Sequence, residues 1–74
     1  MYHRLRFLAT YQLDLRMPGK ARMEQLLIRE RDIIEAQVKP YVQETADGPV
    51  EVADLHLPGD GTLVAVPMGC FQFV

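Results

Sequence analysis

The chain has 74 residues, 8 Lys and Arg against 10 Asp and Glu, a formal net charge of −2 and 49% hydrophobic content. This is one small domain, residues 1–74, too short for a second and too apolar for disorder. No apolar run reaches the ~20 residues of a membrane helix, and no leader-like stretch follows Met1. The single cysteine, Cys70, excludes an intrachain disulfide and a multi-thiolate metal site. A cytoplasmic chain is expected, because small extracellular domains are usually stapled by disulfides.

Residues 3–16 alternate. Leu5, Phe7, Ala9, Tyr11, Leu13 and Leu15 share one parity, and Arg4, Arg6, Thr10, Gln12, Asp14 and Arg16 the other, with Leu8 the intruder. Period-two patterning predicts a half-buried strand with one wet face. Strands usually run about 5–6 residues, so this one is expected to bend or to serve two neighbours. Met17-Pro18-Gly19 ends it. Pro18 suits the first turn of a helix, and residues 19–30 are good helix formers. Met23, Leu26 and Leu27 fall on one helical face, although no capping residue precedes them.

Ile33 is expected to start a strand. The turn chemistry of Thr45-Ala46-Asp47-Gly48-Pro49 favours a hairpin, and a three-residue loop at 46–48 sets Val42 opposite Val52. Val50 to Leu57 is the next strand. A bulge near Ala53-Asp54 would bring Val50, Val52, Leu55 and Leu57 to one face. Pro58-Gly59-Asp60-Gly61 is another turn. Thr62 to Val74 is the last strand, expected to be an edge or to break near Pro67 and Gly69.

The expected fold is α+β and mainly β. It is a curled antiparallel sheet or small barrel of about four strands with one short helix, in the order β-α-β-β-β. Two alternatives remain open. One is an all-β small barrel in which Gln25–Arg29 is a short strand. The other is a βαββ fold with a long helix over 19–39.

Several chemistries are absent. Without Ser there is no Ser-based triad, and without Asn no glycosylation site. Gly19-Lys20 lacks the other residues of a phosphate loop, and Gly59-Asp60-Gly61 lies between strands, where no dinucleotide fingerprint belongs. Asp54 and His56 share a face if no bulge separates them, a pairing that suits acid–base work or a metal. An exposed polar face opposite Leu55 and Leu57 is the simpler account. Cys70 sits in an apolar tail and reads as a small hydrophobe. Glu30, Asp32 and Glu35 read as solvated carboxylates. No catalytic residue, metal site or cofactor is nominated.

The charge is uneven. Residues 1–31 carry seven cations against three carboxylates, net +4, and residues 32–74 one cation against seven, net −6. Side-by-side neutralisation is the simplest account. The others are association of basic and acidic parts of two copies, and phosphate contact. These features point to a non-enzymatic interaction module, self-associating or a small subunit of a larger assembly. Phe71, Phe73 and Val74 are its contact candidates, since small sheets must hide their edges. The alternative is a small β-domain binding nucleic acid through Arg4, Arg6, Arg16, Lys20 and Arg22. Against it, the aromatics fall mostly on the core parity.

Overall fold

The computed structural model describes all 74 residues. The alternating N-terminal segment is one extended stretch bent once, as β1 (His3–Phe7) and β2 (Tyr11–Arg16). Its partners are β3 (Glu24–Ile28) and the start of β4 (Ile33–Thr45). His3 lies opposite Ala36 in the β1–β4 pair and Tyr11 opposite Ile28 in the β2–β3 pair, with the same offset. The two pairs are therefore a single hairpin, residues 3–16 against 24–36, folded over at a corner.

The corner has its own bonds. The Phe7 N–H donates to the Asp32 carbonyl at 2.9 Å, and the Arg31 N–H to the Phe7 carbonyl at 2.9 Å. The Glu30 N–H donates to Thr10 Oγ1 at 3.1 Å, and the Arg29 N–H to Asp32 Oδ2 at 2.9 Å. Arg31 adopts a left-handed φ of 75°, which turns the chain from β3 into β4. Folding the ribbon here lays its apolar parity on itself, with the Phe7 and Tyr11 rings 6.2 Å apart.

The helix expected over residues 19–30 is absent, and β3 lies where the all-β alternative had its short strand. Pro18 and Gly19 are the two central residues of a turn. The Lys20 N–H donates to the Met17 carbonyl at 3.2 Å, and Gly19 has φ 76°. Pro followed by a positive-φ Gly is the signature of a type II turn, which the helix-start reading of Pro18 overlooked. Pairing with β2 then outweighs the helix propensity of 20–27.

The remaining strands are β5 (Gly48–His56), β6 (Thr62–Pro67) and β7 (Phe71–Phe73). All pairs are antiparallel, in the order β3-β2-β6-β5-β4-β1-β7. The sheet curls into half a barrel, 64% of the chain is strand, and the helical content is 4%. The expected α+β fold of about four strands and a helix is thus replaced by seven strands. A single helical turn, Met68–Cys70, breaks the last strand after Pro67.

Two local expectations change in detail. Thr45 pairs with Gly48 across a two-residue loop, so Val42 lies opposite Glu51 and Tyr41 opposite Val52. Gly48 has φ 110°, a backbone conformation that favours glycine. The register shift does fall between Ala53 and Leu55, but the extra residue is in β6. Asp54 alone faces Val64 and Ala65, and Ala65 has φ 53°. The bulge therefore brings Leu63 and Val66 to the core face. β5 keeps its alternation, so Val52 stays on the face opposite Leu55.

The core is formed by Leu5, Phe7, Leu13, Ile28, Ala36, Ala53, Leu55, Leu63, Val66, Cys70 and Phe71. It contains no buried polar side chain. The exposed area is 5106 Å² for 8.5 kDa, against about 4,700 Å² for a folded monomer of that mass.

Candidate functional site

Three surfaces stand out once the core is removed from consideration. The first is the β4–β5 arm. β1 covers β4 only as far as Ala36, and β6 covers β5 only from Val52. Residues 39–47 are all exposed. The Phe7–Asp32 bond fixes the direction of β4, because alternate residues point to alternate edges. Pro40 therefore directs its missing donor to the open side of β4, and Pro49 its own to the open side of β5. Prolines so placed block strand addition on both edges. The arm's faces stay open. Pro40, Tyr41, Val42 and Glu51 line a groove of about 180 Å³.

The second surface is the β7 edge. Val74 N–H donates to the Arg4 carbonyl at 3.0 Å and Leu8 N–H to the Cys70 carbonyl at 2.9 Å. By alternation, the backbone groups of Phe71 and Phe73 face outward. The side chains differ. Phe71 is 5% exposed and packs on Phe7 with centroids 5.8 Å apart, so it belongs to the core. Phe73 is 54% exposed and Val74 53%. Phe73 stacks edge-on against His3 at 5.3 Å. This edge contains no proline and no charged residue, unlike the arm or β3 with Glu24.

The third surface is a polar cluster on the face opposite the core. Asp54 Oδ1 accepts the Tyr41 hydroxyl at 2.9 Å and the Ala65 N–H at 2.9 Å. The carboxylate thus holds the strained bulge residue. That hydrogen bond raises the Tyr41 pKa above its ordinary 10.0, burial and the Asp54 charge add to it, and Arg16 opposes it. His56 Nδ1 and Thr62 Oγ1 are 3.0 Å apart. Asp54 and His56 share a face as expected, yet each is bonded to a different neighbour.

The other sequence candidates are dispersed. Arg4 and Arg6 lie on β1, opposite Glu35 and Ile33. Arg16 closes β2, and Lys20 and Arg22 lie in the exposed loop beyond it. The corner therefore separates the five cations into two sets. Cys70 is buried beside Tyr11, where its sulfur, followed by burial, raises the Tyr11 pKa above 10.0. It lies on the core side, and His56 lies on the other. Asp32 closes the corner turn, and the Glu30 carboxylate pairs with Arg31 at 3.9 Å. No group of three or more His, Cys, Asp and Glu is placed to hold a metal.

Sequence reasoning missed the arm. Its signals were present: Pro40 and Pro49 bracket the turn, and Lys39 is the last Lys or Arg in the chain. No family model, curated protein or solved structure matches the chain. No helix is long and apolar enough to cross a membrane.

Proposed function

We propose that the chain is a non-enzymatic interaction module that associates with itself through β7. The observation that carries this reading is the unguarded edge of that strand. Its outward backbone groups are unpaired, no proline or charge blunts it, and the apolar Phe73 and Val74 stand beside it. Two copies related by a two-fold axis at Gln72 set Phe71 of each opposite Phe73 of the other. Isologous contacts of this kind are the commonest route to a small homodimer. The nucleic-acid alternative has less support, because Arg4 and Arg6 lie on β1 whereas Arg16, Lys20 and Arg22 lie at the end of β2 and in the loop beyond it.

Light scattering on a sizing column at high salt tests this. The wild-type protein is expected at twice 8.5 kDa, and Phe73→Lys at 8.5 kDa. A wild-type mass of 8.5 kDa at every concentration overturns it, as does an unchanged dimer in the variant.

A further inference from the structure

The two longest runs of exposed residues are 18–25 and 39–47. They lie at opposite ends of the sheet. Arg16 pairs with Thr62, Thr62 with His56, and His56 with Gln37, so these four form one row across the sheet, at which β2 and β5 end and β6 begins. The loop carrying Lys20 and Arg22 extends beyond that row. The tip of the arm lies eight residues along β4 from Gln37, about 26 Å away. The loop end presents Lys20 and Arg22, with Glu24 and Asp60 nearby, and the exposed Met23 and Leu27, while Arg16 acts on Tyr41 at the base of the arm. The arm presents Glu44, Asp47 and Glu51 with no cation between Pro40 and Gly48 or beyond, and the exposed Tyr41, Val42 and Val50.

No ion pair involves either charge set. The sole ion pair is Arg31 with Glu30, sequence neighbours 3.9 Å apart at the surface. The basic and acidic ends therefore form no ion pair with each other within one chain. The arm cannot recruit a strand, because Pro40 and Pro49 block its edges, so its faces are what a partner meets. On that face the groove has apolar Pro40 and Val42 and one carboxylate, Glu51, while the Tyr41 side chain turns to the other face, toward Asp54. That combination suits a long cationic side chain whose stem packs on the walls while its head meets the carboxylate.

We infer that the arm groove of one copy docks the Lys20–Met23 loop of a second copy, with Arg22 against Glu51 and Met23 against Val42. The occupant is this same chain, because the chain carries the complement of its own groove at the far end, where it cannot reach its own arm. The contact is heterologous, so it propagates head to tail instead of closing as a two-fold pair. It uses none of the β7 residues and goes beyond the edge-to-edge reading.

Sedimentation or light scattering of Phe73→Lys tests it, since that variant removes the β7 contact. At low salt its mass is expected to climb continuously with concentration, and at high salt to return to 8.5 kDa. Glu51→Lys or Arg22→Glu on that background should weaken the low-salt association about tenfold or more. The two reversals combined in one chain should restore it, as should mixing the two single-reversal proteins. Circular dichroism of each variant establishes that it is folded. A Phe73→Lys protein that stays at 8.5 kDa at low salt overturns the inference, as does failure of the combined reversal to restore association. A wild-type protein that is monomeric at high salt but grows at low salt retires the β7 reading alone.

Discussion

The two halves of β4 show how context decides burial. Ile33–Val38 and Lys39–Thr45 belong to one regular strand with similar alternation, Ile-Ile-Glu-Ala-Gln-Val and Lys-Pro-Tyr-Val-Gln-Glu-Thr. In the first half β1 flanks Ile33–Ala36 and β5 begins only at Gln37, and Ala36 is completely buried in the core. The second half has β5 on one side only, and every residue is exposed. Alternation alone does not separate them, although Lys39 and Pro40 mark the start of the second half. The difference is the corner at residues 8–10 and 29–32, which folds the N-terminal hairpin over the first half and leaves the second uncovered.

The largest test of that contrast compares Phe7 with Val42. Phe7 is fully buried at the corner, against Tyr11 and Phe71. Phe7→Ala should lower unfolding free energy by about 3–5 kcal/mol through lost burial and the cavity left behind. For a domain this small that is enough to leave much of the protein unfolded. Val42 is 59% exposed, and Val42→Ala should change stability by no more than about 0.5 kcal/mol. Chemical denaturation of both variants checks the pair. Equal losses would show that the arm folds back onto the core in solution.

Much of this half-buried architecture was readable. The odd parity of residues 3–16 is the core parity, the strand does bend, Ile33 does begin a strand, and Pro67 does mark a break. These features rest on local patterning and on proline's missing donor. The helix expected over 19–30 failed because β3 is made by its neighbour. Glu24-Gln25-Leu26-Leu27-Ile28 has no strong alternation of its own, and the partner register on β2 supplies what propensity does not. The missing helix cap was the local signal against it. The bulge failed in a different way. Its position was readable from the parity switch in β5, but only the pairing shows that β6 carries the extra residue. Of the contact candidates, Phe73 and Val74 are exposed as an edge requires, whereas Phe71 is spent on the core.

The next effect in size concerns how β5 and β6 are joined at the base of the arm. Asp54 accepts the N–H of Ala65, a non-glycine residue with φ 53°. Asp54→Ala strands that part-buried donor and should cost about 1–3 kcal/mol. Asp54→Asn keeps a side-chain carbonyl acceptor and should cost less. Amide exchange at Ala65 sharpens the comparison, because protection there should fall in Asp54→Ala well before it falls at Leu5 or Phe7. Uniform loss across the chain would mean that the arm base and the corner open together.

The smallest effect is a pH dependence at the same junction. The Tyr41 hydroxyl donates to Asp54, and this bond is the main reason its pKa lies above 10.0. A phenol whose folded-state pKa is raised contributes stability that is complete below its unfolded value. That contribution disappears as pH rises through the raised folded value. Wild-type protein should therefore exceed Tyr41→Phe in stability by a constant margin at neutral pH, with the margin shrinking above pH 10. Arg16 works against the shift, so Arg16→Gln should move the loss to still higher pH. Denaturant midpoints across alkaline pH, with the tyrosinate absorbance read alongside, distinguish this from general alkaline unfolding. A margin that stays constant through the tyrosinate transition would show that Asp54 holds the bulge without help from the arm. The junction would then be a property of β5 and β6 alone.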